Sequence, residues 1–399
     1  MIEDWMNRNC QNQRNLRRAT VTLGRCLRIT NHNVSRIVSK FPDIREFRKY
    51  RRTGRRFQRN LMILYGFCEK QFTLAFAVDM ERKKLVRIQK LENPFSEVPI
   101  PCFAASGAAF YQIGGFNRNF ITDFNNEFIS FAMADCYRMD MKTLEWERSS
   151  SIPLPRLHST ICGGPSGEIF LIGGYSQTMI TEKVNFYDPE RNCWKRLPDL
   201  LLGRFKASSV YYNNRIFVSG GASEENPLEE CEVFLLKSRK WKFFSPLNSP
   251  RSAHQMVLLG GTLYVMGGVD LGGALRTVEY YSIEAEGLWK FGPKMLSSRA
   301  NFTATTFQEK IFIFGGEDNI ENNLSVDFFD GSSWQKFCRL PPEVIPLAVL
   351  VFPMVPNIKE VACEMLLEED SRTISDIFSD EDNDKSEVEE DPDFRELER

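Results

Sequence analysis

The sequence predicts an all-β chain wound into a closed ring of repeated four-stranded sheets, on three observations. Adjacent glycines recur at Gly114-Gly115, Gly173-Gly174, Gly220-Gly221, Gly267-Gly268 and Gly315-Gly316, each closing a short apolar run such as "RIFVSGG" or "KIFIFGG", with steps of 59, 47, 47 and 48. Trp146, Trp194, Trp241, Trp289 and Trp334 keep nearly the same beat, with steps of 48, 47, 48 and 45. Between these markers lie short runs rich in Val, Phe and Tyr, separated by turn residues, at the length of strands rather than helices. A repeat of roughly 40 to 50 residues built from short strands is the mark of a β-propeller blade. One such unit cannot bury its sheet face alone, so blades stack around an axis until the ring closes.

Residues 1–56 read as a basic arm. Residues 1–60 hold 16 Lys and Arg against four acids, a net of +12. Val34, Ile37, Val38, Phe41, Ile44 and Phe47 recur at a spacing compatible with helix, with Pro42 suiting a first helical turn and Gly54 an end. The cluster "RKYRRTGRR" that follows admits three roles: a packed or flexible flank, a polyanion-binding segment for nucleic acid or an anionic membrane surface, or a partner-docking segment.

Residues 57–355 carry the repeat. The unit 203–248 shows its order: strand A in "KASSVYY", a turn at Asn213-Asn214, strand B in "RIFVSGG", a polar loop, strand C in "CEVFLL", a turn, and strand D in "KWKFFSPL". The complete blades are expected at about 101–150, 155–199, 203–248, 250–296 and 298–342. A degenerate copy precedes them: "NLMILYGF", "TLAFAVD" and "KLVRI" supply strands B, C and D over 57–100 but no strand A. After the last blade, "IPLAVLVFPMV" over 345–355 is one orphan strand. An open ring would leave unpaired edges, so this strand is expected to pair with residues 61–66 and complete a sixth blade. The alternative is a buried tail.

At the strand B ends, with Tyr187-Asp188-Pro189 and a Trp six residues after the Asp at Trp194, the chain resembles the kelch-repeat family. Met139-Asp140 with Trp146 and Phe329-Asp330 with Trp334 are weaker copies. The resemblance covers the propeller. It implies that the B–C and D–A loops share one rim and meet protein partners there. Family members serve as substrate adaptors of ubiquitin ligases, bind actin or act as scaffolds. The arm that precedes the first strand is too short for a BTB-BACK region and lacks the opening of an F-box.

Two features stand out on the expected rim. Arg156, Arg204, Arg251 and Arg299 occupy one register of the D–A connections, with steps of 48, 47 and 48, and so predict a partial arginine ring. Guanidiniums suit carboxylates, which makes such a ring suited to an acidic peptide; the competing role is bracing of adjacent blades as part of the repeat consensus. The first B–C loop is longest and brings Phe116, Phe120, Phe124, Phe128 and Phe131, either packed on the blade or forming a partner site.

No chemistry-bearing constellation accompanies them. The chain has three histidines: His158 and His254 lie near equivalent repeat positions, and His32 lies outside the ring. A metal centre with a second converging histidine is therefore not expected. A kelch-like copper oxidase site and a sialidase box are both missing, as are a nucleophile elbow and a phosphate-binding glycine loop. The reading is a non-enzyme without cofactors, acting as a protein-interaction module; the alternative is a hydrolase or lyase site in the central channel. The 399 residues with net charge −2 carry neither a signal peptide nor an apolar run long enough to span a membrane. Ten cysteines without CxxC spacing read as reduced, which suggests a cytoplasmic or nuclear location. Residues 356–399 form an acidic tail, with 17 acids against four bases after residue 359, that is expected to be disordered. It is either a solubilising tail or a screen for a basic face or for the arm.

Overall fold

The computed structural model describes residues 60–353, apart from 69–70, 81, 89–90, 93–101, 107–108, 123–127, 142, 177–178 and 225. The basic arm and the acidic tail lie outside the described residues. Within them the chain is all-β, with six antiparallel four-stranded sheets and three small two-stranded hairpins.

Each of five sheets uses one stretch of sequence in the order A-B-C-D. In the fourth blade these are Ser208–Tyr212, Arg215–Ser219, Cys231–Leu235 and Lys240–Phe244. Asn213 and Asn214 turn strand A into strand B with φ of 47° and 57°, the left-handed pair that a tight hairpin requires. Strand B is buried on both faces, as in Ile169–Ile172, and strand D is half exposed, as in Lys240–Phe244, so each blade is dry in its middle and wet at its outer edge.

The first blade is assembled from both ends of the repeat region. Asn60–Cys68, Gln71–Asp79 and Lys84–Arg87 are its strands B, C and D, and Ile345–Pro353 is its strand A. Ile63 pairs with Leu350 and Leu64 with Val349, so the orphan strand closes the ring as the sequence predicts. The six A strands contact one another in succession, including the last with the first, and line the centre.

The cores lie between blades. Phe217, Cys231 and Val233 of the fourth blade pack with Leu263, Val265 and Trp289 of the fifth. Met62 and Leu64 of the first pack with Phe312, Phe314 and Val326 of the sixth. The five register tryptophans also staple neighbours. The indole N–H of Trp194, Trp241, Trp289 and Trp334 donates to the carbonyls of Ser150, Pro198, Ser245 and Pro293 at 2.8–2.9 Å, each on the connection that leads in from the preceding blade. Trp146 donates to Leu91 at 3.3 Å. This is why the tryptophan shares the period: it needs both an apolar slot and a carbonyl at a constant offset.

Candidate functional site on the loop rim

The rim is built first by the glycine pairs. Gly173 and Gly174 have φ of 60° and 110°, and a Cβ on Gly173 would sit 2.4 Å from the Arg204 carbonyl oxygen. The other four pairs repeat these angles closely. Only glycine combines that conformation with so close an approach, and the pair turns strand B into its B–C loop.

The four register arginines lie beneath that loop and are buried. Arg204 Nη1 donates to the carbonyls of Gly220 and Glu230, both at 2.7 Å, and Nη2 to Glu232 Oε1 at 2.7 Å. Arg251 repeats the pattern with Gly267, Thr277 and Glu279, and Arg299 with Gly315, Ser325 and Asp327. Arg156 bonds Lys183 O, Leu171 O and Asn185 Oδ1. Facing a neutral amide rather than a carboxylate, it is pushed by burial down to about 10, still protonated at neutral pH. The expectation of a solvent-facing arginine ring is corrected here: the carboxylates such a ring would seize are supplied by the chain's own third strands. Asn185, Glu232, Glu279 and Asp327 keep steps of 47, 47 and 48, a signal the sequence reading missed because each sits inside an apolar strand.

Two residues after each arginine the backbone turns left-handed, at His158, Lys206, Ala253 and Asn301, with φ between 49° and 53°. Each of the last three donates its N–H to the same position one blade back: Lys206 to His158 O and Ala253 to Lys206 O at 2.8 Å, and Asn301 to Ala253 O at 3.0 Å. A main-chain thread thus runs along the mouth of the ring from the third blade to the sixth.

Above this frame the loops differ. Tyr175–Ser176 pairs with Met179–Ile180, and Val269–Asp270 with Gly273–Ala274, as small hairpins. The loops of blades four and six are tight turns, closed by Ser223 N–H to Asn226 O and by Asp318 N–H to Glu321 O, the latter also held by Asp318 Oδ1 accepting from the N–H groups of Ile320 and Glu321. Among the loop tips, apolar side chains face water: Met179 is 62 %, Leu271 82 % and Ile320 92 % exposed. In the first B–C loop, Phe116 and Phe120 lie on Phe116–Thr122, and Phe128 and Phe131 on Phe128–Ala132, which pair as a hairpin. Phe124 lies outside the described residues.

Among the described residues, the two histidines share no site. His158 is exposed on the mouth of the ring, whereas His254 is buried with Nε2 2.9 Å from Ser219 Oγ. Burial, then Arg251 and Arg204, push the His254 imidazole down to about 3. Among the described residues no group of three or more His, Cys, Asp or Glu is placed to hold a metal. Cys102, Cys136, Cys162, Cys193, Cys231 and Cys338 are free thiols, and no helix among the described residues is long and apolar enough to cross a membrane.

Comparison with known proteins agrees with this geometry. The profile of the KLHDC2/KLHL20/DRC7 Kelch-repeats domain matches residues 167–338. Kelch-like protein 26 of Danio rerio is 23 % identical over 224 residues, covering 53 % of this chain and 36 % of its own length. Kelch repeat and BTB domain-containing protein 12 of Homo sapiens is 25 % identical over 218 residues, covering 48 % of this chain and 34 % of its own. Kelch-like protein 40 of Mus musculus is 28 % identical over 134 residues, covering 33 % and 21 %. The chain therefore spans 36 % or less of the length of these relatives. Among solved structures, YjhT superposes with a TM-score of 0.55 at 12 % identity, covering 68 % of this chain and 91 % of that one, a likeness of fold alone.

Proposed function

Because the chain is a kelch-repeat protein built as a six-bladed propeller, we propose that it works as a protein-interaction module whose partner sits on the rim of B–C loops. One observation carries the reading. A frame repeated from the third blade to the sixth, with the same glycine pair and the same register arginine, holds loops that differ in sequence, and their tips expose Met179, Leu271 and Ile320. Large aliphatic side chains left in water on a rigid support cost solvation in the free protein and recover it at an interface. The proposal takes in the longer loop of the second blade, which carries Phe116, Phe120, Phe124 and Phe128 in its sequence. Recruitment of a substrate to a ubiquitin ligase and scaffolding of the cytoskeleton are the two forms such binding would take. No catalytic role enters this reading.

Proximity labelling in cells tests it. The Met179→Ser/Leu271→Ser/Ile320→Ser variant should melt like the parent, since all three side chains are already hydrated, yet lose the parent's labelled partners. An unchanged partner set would refute the rim.

A further inference from the structure

We propose that the seam where the ring closes is a cleft for an extended peptide segment bearing a basic side chain. This deepens the reading of the rim as the interaction surface and rests on it.

In blades four, five and six two bonds tie each blade to the one before. The left-handed residue donates its N–H to the mouth of the ring, as Asn301 does to Ala253 O at 3.0 Å. The carbonyls of Arg204, Arg251 and Arg299 accept the N–H of Gly174, Gly221 and Gly268 at 2.8–2.9 Å. At the seam both are missing. Ala348 pairs with Tyr65 as Thr303 pairs with Phe314, so Val344 and Pro346 stand where Arg299 and Asn301 stand one blade earlier. Valine brings no guanidinium. Proline brings no N–H, and its ring locks φ at a negative value, far from the left-handed turn. The chain instead stays extended and pairs Ile345 with Phe67 and Pro346 with Gly66.

Two main-chain groups on the sixth blade are left over. The carbonyl of Asn301 has no N–H to accept, and the N–H of Gly316 has no carbonyl to meet, among the described residues. Both border a cleft of about 410 Å³ whose walls include Glu317, Leu324, Ile345 and Pro346. The volume lies in the range of specific ligand sites. The Glu317 carboxylate lines it.

These groups define the occupant. A strand-like segment would give a carbonyl to Gly316 and take the Asn301 carbonyl with its own N–H, the pairing by which extended peptides add to incomplete main-chain ladders. Leu324 and the half-exposed Ile345 would hold an aliphatic side chain. The Glu317 carboxylate, now engaged by the Asn301 amide, would accept a Lys or Arg. An acidic segment would bring like charge against the exposed Glu317 carboxylate. The ligand expected here is thus opposite in charge to the one the arginine register suggests.

Fluorescence anisotropy on the full chain tests this at about 0.15 M salt with labelled decapeptides of alternating isoleucine and arginine, or isoleucine and glutamate. The basic peptide should bind at least about tenfold more tightly. Glu317→Gln should weaken it roughly fivefold, and N-methylation of alternate peptide amides should abolish it. Pro346→Asn, which restores the missing N–H and the left-handed residue, should close the site; Glu317→Gln keeps the test alive should that variant not fold. Equal binding of the two peptides, or binding indifferent to both Glu317→Gln and N-methylation, overturns the proposal, because it would then reflect attraction to acidic surface at large. A chain that loses cellular partners with the Met179, Leu271 and Ile320 variant yet shows no peptide binding sinks the cleft and leaves the rim.

Discussion

Arg251 Nη2 lies 2.5 Å from Glu279 Oε1, and neither side chain is reached by solvent. The second carboxylate oxygen of Glu279 is held by the N–H and the side-chain amide of Asn248, at 2.7 and 2.8 Å. A buried pair with this many hydrogen bonds adds little net stability against an apolar pair, but removal of one partner strands the other charge.

Arg251→Met alone should therefore destabilise the propeller by about 3–5 kcal/mol, and the Arg251→Met/Glu279→Leu double variant by clearly less than the sum of the singles. Denaturant unfolding of the four proteins measures the cycle. Additive losses would show that the two side chains act independently.

Closure by the last strand rests on side chains such as Val349, buried in the core between the first and sixth blades. Val349→Ala should cost about 1–3 kcal/mol by leaving a cavity, and Val349→Asp should abolish cooperative unfolding. A circular dichroism melt of Val349→Asp that matches the parent would mean the ring does not depend on its seam.

Ala253 holds φ of 52°, a conformation that strains any residue with a Cβ, while its N–H and carbonyl serve the thread around the mouth. Ala253→Gly should raise stability by up to about 1 kcal/mol, the strain relieved slightly exceeding the entropy of the freer unfolded chain. A lower melting temperature would indicate that the alanine methyl contributes more by packing than it costs in strain.

His254 is neutral when folded, because burial and the nearby Arg251 and Arg204 hold its imidazole down to about 3, against 6.5 when unfolded. The sign follows from the proton count: below pH 6.5 the unfolded chain binds a proton that the folded chain refuses. This contribution to stability is whole above pH 6.5 and is lost as pH falls toward 3, at up to about 1.4 kcal/mol per pH unit. His254→Phe places here the residue found at the equivalent position of the next blade, Phe302, and should flatten the difference in melting temperature between pH 7 and pH 4.5. An unaltered pH dependence would assign the acid lability to carboxylates alone.

Much of the fold was legible because propeller blades repeat both apolar pattern and turn chemistry. Gly267-Gly268 marks a place where only glycine fits, and Trp289 marks a slot with a carbonyl at its end; each demand recurs at the same offset and so leaves a period. The closing strand was legible for a different reason: one orphan apolar run and one blade lacking its first strand are complementary deficits. Less was legible at the rim. Arg251 lies on a connection and Glu279 on a strand well downstream, with no local pattern linking them, so the arginine register was visible while its buried carboxylate was not.

The sequence by itself therefore determined the architecture, the number of blades and the positions of the loops, since these follow from local hydrophobic alternation and residues with a single permitted backbone conformation. Only the tertiary structure decided which charges face water. Burial is a property of the closed ring: the guanidiniums of Arg204, Arg251 and Arg299 become interior groups once strand C of the same blade lies beside them, and Pro346 opens a cleft only because the sixth blade ends against it.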